Sequence, residues 1–217
     1  MIKRYLLTFM GFFILATGYL FTLLPLLMVR SSLSNQTYLE ALAVWGVLVL
    51  LSLGPAVSFL LRKIWFFEGT EQSVSLEKLR STLLEVNKMH GPVRVRKKGK
   101  RLIMEWRYDD PAWCERMAAE NMSGLYELRL AFNENTRTVT LSDRSRRVDF
   151  SLCPIRVKTG FLAMPRLFFG IRPAKEQGLE QYAERRPYDF SFKPGEIKSP
   201  LVGTLLSLGW NVQFSLL

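Results

Sequence analysis

Apolar and polar positions divide this 217-residue chain into two unequal parts. Tyr5 to Val29 and Ala41 to Leu61 contain no charged residue. Each run is at least as long as the roughly 20 residues a helix needs to cross about 30 Å of hydrocarbon. Core helices of soluble proteins rarely stay uncharged that long, so the pattern predicts two transmembrane helices, over about 5–29 and 41–61. The first run is longer than the roughly 7–15 apolar residues of a signal-peptide core. The exit "LLMVRSSLSN" has no clear small-x-small cleavage site. The segment therefore reads as an uncleaved anchor. Asn35-Gln36-Thr37 between the helices matches a glycosylation acceptor, and reads here as a polar turn close to the membrane.

Beyond Leu61 the periods change. Ser75 is placed as an N-cap, with Leu76, Leu79, Leu83 and Val86 at helical spacing and His90-Gly91-Pro92 as the stop. Val93 to Arg96 alternates, Lys97 to Lys100 holds a glycine turn, and Leu102 to Trp106 returns, which predicts a β-hairpin. Asp110-Pro111 is a cap and first-turn pair opening a helix to about Asn121. Tyr126 to Phe132 and Arg137 to Leu141 flank a second hairpin turn. Val148 to Leu152, Ile155 to Val157 and Phe161 to Ile171 read as further strands, and Lys175 to Arg186 as weakly helical. Ser199-Pro200 opens a last helix that Gly209 closes. Trp210, Val212, Phe214 and Leu216 then alternate with polar residues as a strand with one buried face.

The expected class is α+β. An N-terminal two-helix transmembrane hairpin (1–63) precedes an antiparallel sheet domain with helices packed on one face (64–217). Three stretches, "LRSTLLEVN", "MEWRYDDPAW" and "YDFSFKPGEIKSPLVGTLLSLGW", together resemble uncharacterised bacterial membrane-anchored proteins whose C-terminal domain has no assigned function. The resemblance spans about two thirds of the chain and rests on structural motifs. It implies no activity.

Charge adds an orientation. Lys3 and Arg4 precede the first helix, and Arg62 and Lys63 follow the second. The positive-inside rule then places both termini in the cytoplasm, in a bacterial inner (plasma) membrane. From Arg62 onward, 27 basic residues face 18 acidic ones, a formal charge near +9 that calls for an anionic partner.

The residues offer little catalysis. His90 is the one histidine, at a helix stop, so His pairs and His-rich metal sites are excluded. Cys114 and Cys153 lack ligand spacing and read as free, buried thiols in a cytoplasmic domain. Asp109-Asp110 is explained by capping. "KKGKR" is not a phosphate loop. Neither apolar run holds an ionisable residue of the kind that marks an ion path. Gly11, Gly18 and Thr22 share one helical face, and Gly54 and Ser58 form a small-xxx-small pair, which suits helix packing within the hairpin or in a homo-oligomer.

Two surfaces remain. The first is the cluster Arg94, Arg96, Lys97, Lys98, Lys100 and Arg101 at the hairpin turn, a candidate for binding an anionic surface. The second is an apolar segment with basic flanks, Phe161, Met164, Arg166, Phe168 and Phe169, a candidate membrane-interface loop. The reading is a membrane-anchored, non-enzymatic protein without cofactor or metal. Its basic domain binds membrane lipids, a protein partner or both. Nucleic acid is disfavoured, because single strands want stacking aromatics. The alternative is an enzyme or small-ligand domain with an unrecognised pocket, with His90, Glu105 and Asp109 as candidate converging groups.

Overall fold

The computed structural model describes residues 2–156, 160–163, 178–184 and 189–215. Two compact units divide the chain, Met1–Trp65 and Phe66–Leu217.

The first unit is a pair of long helices, α1 (Ile2–Met28) and α2 (Asn35–Ile64), with a short 3-10 turn at Arg30–Ser32. Both are long and apolar enough to span a membrane. Ser34 caps α2 through the Thr37 backbone N–H, so Asn35 to Thr37 open the helix rather than form a separate turn. The helices are joined by polar contacts along their length. Tyr19 and Ser52 hydroxyls are 2.9 Å apart, and Trp45 Nε1 donates to Thr22 Oγ1 at 3.0 Å. Near the other end, Trp65 Nε1 donates to Thr8 Oγ1 at 3.1 Å and its ring meets Tyr5 edge-on. A Cβ on Gly11 would lie 2.8 Å from the Leu60 methyls, so glycine permits the close approach there. Gly18 and Gly54 have nothing within 4 Å of such a Cβ and take no part in this contact.

The second unit contains β1 (Phe66–Phe67), α3 (Leu76–Glu85), β2 (Val93–Lys98), β3 (Arg101–Trp106), α4 (Pro111–Ala119), β4 (Gly124–Asn133), β5 (Thr138–Arg147), β6 (Leu162–Ala163), α5 (Gln181–Glu184), α6 (Pro194–Ser207) and β7 (Asn211–Phe214). It is an α+β domain. Six strands run in the order β1-β7-β5-β4-β3-β2, and β6 pairs with the far end of β5. Pairing is antiparallel except between β5 and β7, so the sheet is mixed rather than wholly antiparallel. The return through α6 brings β7 in beside β5 in the parallel sense.

The caps at Ser75 and Asp110 form as their sequence contexts predict, each side chain accepting backbone N–H bonds of its first turn. Several expected elements differ. Val148 to Leu152 gives only a 3-10 turn at Phe150–Leu152, where the Asp149 side chain accepts the Ser151 N–H. No strand covers 155–156, and of 161–171 only Leu162–Ala163 is described as strand. β5 extends six residues beyond Leu141. α6 begins at Pro194, so Pro200 lies inside it. Proline cannot donate to the Glu196 carbonyl one turn back. The Tyr182 hydroxyl donates to that carbonyl at 2.7 Å instead.

Alternation sorts the sheet into two faces. Val95, Met104 and Leu128 lie in one cross-strand row on the core face. Phe192 meets Trp106 and Trp113 of α4 through edge-on rings, while α6 residues Ile197, Leu201, Val202 and Leu205 are fully buried. Asp143 ends the Val95 row, and buried Lys198 of α6 pairs with its Oδ2. Tyr126 Oη donates to Asp143 Oδ1 at 2.8 Å. A buried charge is tolerated only when paired in this way.

Cys114 and Cys153 are not free thiols. They form a disulfide with Cα atoms 5.7 Å apart, which joins α4 to the segment after β5. Their separation of 39 residues concealed this, because packing of α4 against the Phe150–Leu152 turn brings the two together.

Candidate functional site

The second sheet face carries the charge. Registers place Arg94, Glu105, Glu127 and Arg144 in one row across β2, β3, β4 and β5. The neighbouring row reads Arg96, Ile103, Arg129, Ser142. Glu105 is wholly buried beneath two arginines. Arg94 contacts its Oε1 through Nε and Nη2 at 2.8 Å, while Arg96 spans both oxygens, Nε to Oε1 at 2.5 Å and Nη2 to Oε2 at 2.8 Å. Arg94 reaches Asp109 with its other nitrogen. Glu127, also buried, accepts Nε and Nη2 of Arg129 at 2.7 and 2.6 Å.

These contacts shift the proton affinities of Arg94, Arg96 and Tyr108. Burial works against the charge on Arg94, but Glu105 and Asp109 outweigh it and raise its pKa. Hydrogen bonding to Glu105 does the same for Arg96 against its own desolvation. Tyr108, beneath the Arg94 guanidinium, has its pKa raised by burial and by the Glu105 charge.

Beside this ion network lies a cavity of about 300 Å³. Arg96, Lys97, Lys98, Arg129 and Arg144 line it together with Glu127. Ile103, Gly160 and Phe161 complete the lining. Five cations against one carboxylate leave a formal excess of four positive charges. Among the described residues, the Arg144 side chain makes a long contact, 3.4 Å, to the Phe161 carbonyl.

The basic cluster therefore divides in two. Lys97, Lys98, Lys100 and Arg101 are exposed around a turn that Gly99 completes at φ +60°. Among the described residues no carboxylate pairs with any of these four. Arg94 and Arg96 belong instead to the Glu105 network. Of the apolar segment, Phe161 is half-buried at the cavity, and Met164, Arg166, Phe168 and Phe169 lie outside the described residues. His90 is exposed, and Arg94 alone links Glu105 to Asp109, so those three do not converge on a pocket. Among the described residues no group of three or more His, Cys, Asp or Glu is placed to hold a metal.

Sequence reasoning missed Glu127, Arg129 and Arg144. The available signal was period-2 alternation of charge along β4 and β5, but it becomes a site only once the strand registers are known. No family model, curated protein or solved structure matches the chain.

Proposed function

We propose that this protein is a membrane-anchored, non-enzymatic binding module whose basic domain docks on an anionic membrane surface. The observation that carries the reading is the exposed group Lys97, Lys98, Lys100 and Arg101, free of carboxylate partners among the described residues. Each basic residue near an anionic surface contributes about 1 kcal/mol, so four together contribute up to about 4 kcal/mol.

The test uses the full chain in neutral nanodiscs, mixed with separate vesicles of neutral or anionic lipid. Capture of anionic vesicles alone, weakening with salt as charges become screened over about 8 Å, supports the reading. Equal capture by a variant with Lys97, Lys98, Lys100 and Arg101 all replaced by Gln overturns it.

The proposal includes both termini on the cytoplasmic side of a bacterial inner membrane, supported by Lys3, Arg4, Arg62 and Lys63. The Cys114–Cys153 disulfide weighs for the opposite side, because cytosolic thiols are kept reduced. Protease added to sealed right-side-out vesicles decides between them. A spared C-terminal domain upholds the cytoplasmic placement, and a digested one overturns it.

A specific observation, the 300 Å³ cavity, favours a second reading in which the domain binds a small ligand.

A further inference from the structure

We infer that the cavity between β2, β4, β5 and the 160–161 segment is a binding site for a phosphomonoester on a small hydroxylated body. It deepens the small-ligand reading and shares Lys97 and Lys98 with the hairpin turn, so variants at Arg144 and at Lys100 with Arg101 separate it from surface docking.

The argument starts from charge. Five cations and one carboxylate line a concave site, not a convex tip. A phosphomonoester carries about −1.5 to −2 charge at neutral pH and three acceptor oxygens. A diester or carboxylate carries one charge and fewer equivalent acceptors. Three of the cations are arginines, whose planar forks match phosphate oxygens.

Pre-organisation comes next. Glu105 grips Arg96, and Glu127 grips one edge of Arg129 through Nε and Nη2. The other edge of the Arg129 guanidinium keeps its donors for a ligand. Arg144 is the cross-strand neighbour of Glu127 on β5, on the same face of the sheet. Buried carboxylates thus fix the direction of the forks before any anion arrives, which lowers the ordering cost of binding.

Size and lining set the rest of the ligand. About 300 Å³ exceeds a bare phosphate and lies at the small end of ligand pockets. Ile103 and Phe161 supply apolar surface, and the Glu127 carboxylate is an acceptor for a ligand hydroxyl. A glycerol- or sugar-sized phosphate fits that lining. Its source is either a soluble phosphoester or the headgroup of a lipid phosphate, since both present the same dianion.

The experiment titrates the full chain in neutral nanodiscs with inorganic phosphate, glycerol phosphate and dimethyl phosphate by calorimetry. In parallel, native mass spectrometry of the full chain in detergent compares retention of phosphatidic acid and phosphatidylglycerol. Glycerol phosphate binding at least tenfold tighter than dimethyl phosphate is the expected soluble result. Selective retention of phosphatidic acid, with or without soluble binding, assigns the dianion to a lipid headgroup. Arg144→Gln should weaken either signal at least tenfold without unfolding the domain, because among the described residues no buried carboxylate pairs with Arg144. Lys100→Gln with Arg101→Gln should leave both signals unchanged while reducing vesicle capture. The inference is overturned if monoesters and diesters bind alike, if no anion binds, or if Arg144→Gln has no effect. Loss of vesicle capture alone would overturn only the surface-docking reading.

Discussion

Glu105 on β3 and Glu127 on β4 stand directly opposite one another, and both are buried. Two like charges in that position oppose sheet pairing. The pairing holds because each carboxylate is neutralised from its own side, Glu105 by Arg94 and Arg96 and Glu127 by Arg129. Negative charge in the sheet thereby becomes the scaffold for a positive surface.

Glu105 is the organising charge of this network. Glu105→Gln should lower the stability of the domain by about 3 kcal/mol, the lower end for breaking a buried ion pair, because its arginines retain some access to water. Arg96→Gln should cost only about 1 kcal/mol, since 46% of that side chain is exposed and Arg94 still covers the carboxylate. Urea unfolding of the full chain in detergent measures both. Equal losses would show that the carboxylate has no special role.

The disulfide closes a loop of 39 residues. By loop-closure entropy its removal should destabilise the domain by about 4 kcal/mol. The melting temperature of the full chain should fall with reductant, and Cys114→Ser with Cys153→Ser should show the same fall without it. An unchanged melt in both would refute a bridge that constrains the fold. Maleimide labelling in intact cells reports whether the bridge exists in its native compartment.

Tyr108 links the network to alkaline stability. Burial and the Glu105 charge raise its pKa above the usual value of about 10. Below that value the folded and unfolded chains are both protonated at this site, and the contribution to stability is complete. As pH rises past about 10, the unfolded chain loses its proton first and stability is lost through the folded pKa. Tyr108→Phe should flatten this decline above about pH 10. An identical pH profile for the variant would remove Tyr108 from the account.

Much of the architecture was legible because local chemistry was unopposed. Ser75 and Asp110 cap helices in structure as in sequence, and Gly209 closes α6 at φ +75° where a side chain would also strike the Glu71 carbonyl. The Val93–Trp106 hairpin follows from alternation and one glycine turn. Pro200 misled the placement of α6, because a proline that ordinarily opens a helix sits within one here. Tyr182, 18 positions earlier, satisfies the carbonyl that Pro200 leaves open.

By itself the sequence determined two long apolar helices, a basic α+β domain and a cationic hairpin turn, since each depends on residues near one another in the chain. Tertiary structure alone decided which charges meet. Glu105 and Glu127 are separated by 22 positions and become neighbours only through the β3–β4 register. Lys198 reaches Asp143 only because α6 packs on the core face. Cys114 finds Cys153 only because α4 packs beside the turn after β5. Charge pairs and disulfides act over a few ångströms of space, and chain distance carries no information about that separation until the sheet has formed.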